Sequence, residues 1–310
     1  MSLHTQPRRA GLVLAAVWLS AASALSGQSG RGVLAYALTH AQNYDASPSP
    51  DGRQLVYITA LSGHEQLFIM DVDGTHSTQL TRDAADHEDP AWSPDGRWIA
   101  YVLVGGGQEV IHRMHPDGSG DEALTPADVP TIHPSWSRDS RRILYCSDDD
   151  LQPPRKNASN IYAIDVSTRV VTLLVAGGVN TYPSLSPDGR HIAFRRMIGE
   201  MNSEVFVADS DGGHPVNLSN HPAFDGWPDW SPDGSRLAFA SNRNANYQIF
   251  VMNADGTGVR LVANTEGRAT SPHWSPDGST IYFANCRKAD FGSDCEVMAA
   301  KPSVDVIAPR

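Results

Sequence analysis

Positive charge is in short supply in this chain of 310 residues: 24 Lys and Arg stand against 35 Asp and Glu, for a formal charge of -11. No basic cluster occurs, which argues against nucleic acid or an anionic membrane as partner. No Gly-x-Ser-x-Gly elbow occurs either, and no stretch remains for a hydrolase domain, so nucleophilic catalysis finds no support. Gly105-Gly106-Gly107 lacks the Lys and helix of a phosphate loop and reads as a hairpin loop. The longest loop, Ser147 to Asn160, carries Asp148-Asp149-Asp150 and Pro153-Pro154. It lacks the alternating ligands of a calcium site and reads as a solvated insertion.

The apolar run Gly11 to Leu25 is shorter than the about 20 residues a membrane span needs. Arg8 and Arg9 precede it, and Ala22-Ser23-Ala24 offers a small-x-small cleavage site. Residues 1–26 therefore read as a secretory signal peptide, with a retained anchor as the alternative. No Cys lies near the cleavage region, so no lipid-modified N-terminus is expected. The expectation is an exported protein, periplasmic or secreted, whose residues 27–310 form one domain.

Only three cysteines are present. Cys286 and Cys295 flank one loop between two strand-like segments, and a bridge there would contribute about 2.5–3 kcal/mol on the loop-entropy model. Cys146 has no evident partner. Three buried free thiols are the alternative, since spacing alone does not fix connectivity.

What the chain does have is a repeat. Ser-Pro-Asp-Gly occurs at 49–52, 93–96, 186–189, 231–234 and 275–278, and a degraded copy, Ser137-Arg138-Asp139-Ser140, fills the gap. The serines lie 44, 44, 49, 45 and 44 residues apart. Six tandem units with strand-like content imply a six-bladed β-propeller. Pro presets φ for a type I turn, and Gly takes the left-handed position that closes a bulged hairpin. Ser140 in that position costs about 1–2 kcal/mol, so the third blade is expected to be the least regular.

Aligned on the turn, the next strand carries an aliphatic column (Leu55, Ile99, Ile143, Ile192, Leu237, Ile281) and, two residues on, an aromatic one (Tyr57, Tyr101, Tyr145, Phe194, Phe239, Phe283). The intervening positions are apolar too, so both faces should be buried, as in blades packed on neighbouring blades. A third strand (Leu67, Ile111, Ile161, Val205, Ile249, Val297) leads to a second tight-turn signal at Asp73-Gly74, Asp117-Gly118, Asp211-Gly212 and Asp255-Gly256. A short fourth strand then precedes a segment ending in Trp92, Trp136, Trp230 or Trp274, read as inter-blade packing. Each blade is thus four-stranded and antiparallel. Ring closure has two candidates, Val33 to Thr39 as outer strand of the last blade, which is favoured, or Val304 to Ala308.

These units, with Pro-x-Trp upstream (Pro90-Ala91-Trp92, Pro134-Ser135-Trp136, Pro228-Asp229-Trp230), resemble the TolB-type β-propeller repeat over nearly all of the expected mature chain. The same repeat is similar to the propellers of prolyl-oligopeptidase-like and tricorn-like proteases and of oligogalacturonate lyases. The resemblance covers the propeller half of TolB; the α/β domain that precedes it in that family has no counterpart expected here. It implies a non-enzymatic protein- or peptide-binding module of the cell envelope, with a metal-assisted carbohydrate-active enzyme of the lyase kind as the alternative.

A meander puts all the Ser-Pro-Asp-Gly and Asp-Gly turns on one face, so the second-to-third loops and blade crossings on the other should carry the function. Residues just upstream of each inner strand should ring the channel mouth there. The ligand-binding candidates are Asp45, His87, Glu88, Asp89, His133, Tyr182, Asp225, Trp227 and Arg243, a polar, aromatic and mildly acidic set suited to a peptide, a sugar or a cation. No cofactor is expected. If a divalent cation binds, His87, His133 and His273 are the candidate ligands, although the His-x-His pair of the lyases is missing. The expected partner is a protein or peptide, with a small saccharide as the alternative, and the chain is expected to be a monomer.

Overall fold

The computed structural model describes residues 35–302 apart from 41, 61–62, 153–154, 201 and 288–293; for 148–152 and 155–157 it gives strand assignment alone. The signal-peptide segment, the closure candidate Val304 to Ala308 and the side chains of Asp148-Asp149-Asp150 lie outside the described residues. Gly32–Arg310 forms one compact unit.

Six four-stranded antiparallel sheets make up this unit. The innermost strands are Asn43–Pro48, Asp86–Trp92, Thr131–Trp136, Asn180–Leu185, Asp225–Trp230 and Arg268–Trp274. The first five blades are sequential meanders, while the sixth takes its outer strand from the N-terminal segment Ala35–Ala37. Tyr36 pairs with Ala299 and Ala37 with Met298. Leu38 N–H then donates to Val297 O at 2.8 Å, and Val297 N–H to Thr39 Oγ1 at 3.0 Å. The favoured closure is the observed one: it joins the two ends of the unit by strand pairing, so no propeller edge is left open between first and last blade.

The turn motif explains itself in atoms. Ser49 Oγ donates to Asp51 Oδ1 at 2.6 Å and accepts from Gln54 N–H at 2.9 Å, while Gly52 N–H closes the turn on Ser49 O at 2.9 Å. The same bonds recur in every unit, including the degraded one, where Ser137 Oγ donates to Asp139 Oδ1 at 2.6 Å and Ser140 takes φ 57°. The third turn is therefore as regular as the rest. Ser and Asp, not Pro and Gly, make its hydrogen bonds, and Ser140 Oγ adds an acceptor for Asp95 N–H at 3.0 Å. What sets the third blade apart is its central hairpin. Arg142–Gln152 and Arg155–Asp165 run through the segment read as a solvated loop and extend it as strand.

The two columns of the second strand are buried throughout, the aliphatic one completely. Each apolar cluster draws on more than one blade: Phe283 and Ile281 of the last blade share one with Ile249 and Val251 of the fifth. Trp136 Nε1 donates to Ala91 O at 3.0 Å and Trp230 Nε1 to Ser184 O at 3.1 Å, each reaching the preceding blade. Burial of each large apolar side chain contributes about 1.5–3 kcal/mol, and nearly all of it here is blade-on-blade.

The face opposite the tight turns is uneven rather than uniformly looped. Gly106 and Gly107, both at positive φ, make a two-residue hairpin turn, and Ala245 alone separates the paired strands of the fifth blade. Blades three to five rise there as strand, and loops of 6–7 residues cross between several blades.

Candidate functional site

Each inner strand carries a register break: between Tyr44 and Ser47, Glu88 and Ala91, Ile132 and Ser135, Thr181 and Ser184, Gly226 and Asp229, and Thr270 and His273. At each break one non-glycine residue has positive φ: Asp45 (43°), Asp89 (50°), His133 (54°), Tyr182 (54°), Trp227 (55°) and Ser271 (50°). Left-handed conformation costs non-glycine residues about 1–2 kcal/mol each, and here it occurs once per blade at one height. The bulge turns these six side chains onto the channel axis. All six line a central cavity of about 540 Å³ and remain in partial solvent contact.

Two further rings stack beneath. Ser47, Ala91, Ser135, Ser184, Asp229 and His273 form the second, and Pro50, Pro94, Arg138, Pro187, Pro232 and Pro276 the third, at the tight-turn face. The second ring is small but for Asp229 and His273, and the third is proline but for Arg138. Chemical variety is concentrated in the upper ring.

The upper ring has two unlike halves. On blades one and two stand Asp45 and Asp89, with Glu65 and Glu88 behind them. Burial raises the Asp45 carboxyl against a hydrogen bond from Ser271 and the field of His273. Burial, then the neighbouring Asp45 and Glu88 carboxylates, raise Asp89 further. Glu88 is pushed up to about 7 by burial, with Glu65 and Glu109 adding to it. On blades three to five the ring is aromatic: the His133 and Tyr182 ring centres are 3.7 Å apart, and those of Tyr182 and Trp227 5.3 Å. Phe224 and Tyr247 extend this wall outwards, 5.9 and 6.0 Å from Trp227. The Arg195 guanidinium lies over Tyr182, Phe224 and Trp227 at 4.8, 5.4 and 5.8 Å.

The TolB beta propeller domain family model matches residues 34–200 and 109–304. The chain belongs to this family. The Tol-Pal system protein TolB of Alcanivorax borkumensis is 31% identical over 83 residues, which are 27% of this chain and only 19% of that relative. Among solved structures, the putative TolB of Agrobacterium tumefaciens superposes with a TM-score of 0.65 at 22% identity, covering 84% of this chain and 91% of that one. The oligogalacturonate lyase of Vibrio parahaemolyticus gives 0.59 at 13% identity, covering 88% and 94%. At these identities the likeness is one of fold.

Within this TolB-type propeller, the sequence reading takes consecutive residues of each blade to the mouth, whereas the structure brings one per blade onto the ring. Asp45, Asp89, His133, Tyr182 and Trp227 are there. His87 is not: it is 1% exposed, against the Tyr101 ring at 5.4 Å and 3.5 Å from Asp83. Alternation alone would put residues 87 and 89 on one face; the bulge with Asp89 at positive φ breaks it and turns Asp89 alone to the channel. Asp225 is fully buried, with Oδ2 held by Arg243 at 2.9 Å, so this pair is an internal ion pair beside the mouth and not part of the ring. Glu88 stands behind Asp89. The three candidate metal histidines do not converge: His133 bonds Cys146 Sγ through Nδ1 at 3.0 Å, while His273 sits in the second ring near Asp229. Among the described residues no three His, Cys, Asp or Glu side chains gather as a cation-binding set, so no chemistry is derived through a metal.

Cys286 and Cys295 are bonded across the last blade's hairpin, and Cys146 is a buried thiol outside that bridge, in contact with His133. The residue that sequence reasoning missed is Arg195. It occupies the position after the aromatic column, filled elsewhere by Ile58, Val102, Cys146, Ala240 and Ala284, all fully buried. One arginine in a column of small or apolar residues was the available signal. The inner-strand position that pairs with this column has an exception in the next blade: Gly226, opposite Ala240, where blade four has Thr181 opposite Arg195.

Proposed function

We propose that this chain is an exported binding module of the cell envelope, holding a protein or peptide segment in the channel mouth on the face opposite the tight turns, without turnover. One observation carries this reading: at the six left-handed positions, one per blade, stand Asp, Asp, His, Tyr, Trp and Ser around a solvent-accessible opening. Strained backbone that aims unlike side chains into one cavity is a feature of ligand sites. The leader-like residues 1–26 support export to the periplasm or beyond, and the named relative, a Tol-Pal system protein, supports a protein partner. The metal-assisted carbohydrate reading lacks a gathered ligand set among the described residues.

The test is capture from an envelope extract by wild-type protein and by a Trp227→Ala, Tyr182→Ala double variant. A partner retained intact by the wild type and lost by the variant supports the reading. Equal retention by both overturns it.

A further inference from the structure

We infer that the channel mouth is built for a zwitterionic ligand: an α-ammonium group between Asp45 and Asp89, and a carboxylate on Arg195. This rests on the reading of the mouth as a binding site and deepens it.

The ring is polar across its diameter. In six-fold order, Asp45 faces Tyr182 and Asp89 faces Trp227, so the acidic half looks at the aromatic half. Asp45 Oδ1 is enclosed and has no hydrogen-bond partner. Asp89 Oδ2 accepts one bond, from His133 N–H at 3.2 Å. Two half-buried carboxyls side by side that keep spare acceptor capacity suit a cationic donor. An ammonium supplies three N–H donors from a single point charge. A protein cage for calcium takes about 6–8 oxygens, and among the described residues no three His, Cys, Asp or Glu side chains gather as a cation-binding set.

Arg195 is the complementary pole. It forms no ion pair among the described residues, and its enclosed Nε has no acceptor. Its seat is specific: a Cβ on Gly226 would stand 2.9 Å from Arg195 Cδ, so only the missing side chain of Gly226 lets the arginine pass between blades four and five. The guanidinium lies over three aromatic rings, none of which offers its N–H groups an oxygen acceptor from the ring face, and Arg binds carboxylates in pairs of hydrogen bonds. An unpaired, half-buried cation is costly to keep without such a ligand. The Tyr182 hydroxyl feels both poles, the fields of Asp89 and Asp45 on one side and of Arg195 on the other. Only the His133–Tyr182 pair stands between the poles: Asp89 Oδ2 is 3.8 Å from His133 Nε2, the two ring centres are 3.7 Å apart, and the Arg195 guanidinium is 4.8 Å from the Tyr182 ring. The ammonium and carboxylate could belong to a free dipeptide or to a polypeptide N-terminus with an acidic residue near its start.

The experiment is a calorimetric titration of the whole folded chain, with Trp227 fluorescence in parallel. The probes are Ala-Phe, N-acetyl-Ala-Phe, Ala-Phe-amide, and two twelve-residue peptides with Asp at position two, one with a free and one with an acetylated N-terminus. Acetylation is expected to weaken binding at least tenfold, and dipeptide amidation likewise. Asp45→Asn and Asp89→Asn should abolish the sensitivity to acetylation. Arg195→Gln should abolish the sensitivity to amidation, and so should Gly226→Ala, which displaces Arg195 without removing its charge. Tight binding of the dipeptide alone assigns the site to small zwitterions, and tight binding of the long free-ended peptide to polypeptide termini. Equal affinity for free and acetylated probes, or no binding of any probe at millimolar concentration, overturns the inference. The proposed function fails separately, if the Trp227→Ala, Tyr182→Ala variant captures its partner as well as wild type does.

Discussion

His133 Nδ1 stands 3.0 Å from the sulfur of Cys146, and its Nε2 3.8 Å from Asp89 Oδ2, so both ring nitrogens are engaged across two blades. This fixes the plane in which the imidazole stacks on Tyr182. Cys146→Ala should leave the fold intact, at a cost of about 1 kcal/mol for the small void, and should loosen the ring. The check is ligand affinity together with the His133 side-chain NMR signals, which should broaden in the variant. Unchanged signals would mean that the thiol does not orient the ring.

Two glycines, both in the left-handed region, should respond differently to alanine. Gly189 (φ +73°) has open space where a Cβ would go, whereas a Cβ on Gly212 (φ +85°) would stand 1.8 Å from Leu174 O. Gly189→Ala should cost only the left-handed penalty, about 1–2 kcal/mol. Gly212→Ala must also push the third blade's outer strand away and should cost more, on the order of 3 kcal/mol or above. Thermal melts should place the two variants apart at about 2–4 °C per kcal/mol.

Glu88 makes stability depend on pH in a set direction. Its folded carboxyl is raised to about 7, so between the ordinary glutamate value and neutrality the folded state binds the extra proton. Stability must then fall as pH rises through that window, with the penalty absent below it and complete above it. Glu88→Gln should stabilise the fold at pH 8 by an amount on the order of 1–2 kcal/mol, read as a higher melting temperature, and leave it nearly unchanged at pH 4. The same shift at both pH values would exclude the linkage.

Reduction of the Cys286–Cys295 bond reopens a loop with a sequence separation of 9. The expected loss is about 2.5–3 kcal/mol, read as a lower denaturant midpoint in reductant. No loss would mean that the bridge constrains nothing the hairpin does not already hold.

Why the fold was legible and the site only partly so follows from the residues. Ser49, Asp51 and Gly52 act within one turn, so their chemistry repeats in the string of letters, and the buried columns from Leu55 and Tyr57 follow at fixed offsets. Even the third turn could have been read as regular, had Ser137 and Asp139 been given more weight than the missing Pro and Gly. The site depends on a backbone feature whose one signature, the proline that follows the left-handed residue in five of the six blades (Pro90, Pro134, Pro183, Pro228, Pro272), reads only as part of the tryptophan motif. Nothing in the letters Asp, His, Tyr or Trp announces a left-handed residue in a strand, so His87 and Asp225 looked as eligible as Asp89 and Trp227. Arg195 and Gly226 lie on different strands of adjacent blades. Their contact appears only when the blades are set side by side.

The most direct test of the mouth as the binding site is photo-crosslinking from two positions of the full chain, with a photoreactive amino acid replacing Ser271 on the upper ring or Asp188 on the tight-turn face. The account predicts adducts with the captured partner from position 271 and none from position 188. Adducts from 188 and not from 271 would contradict it.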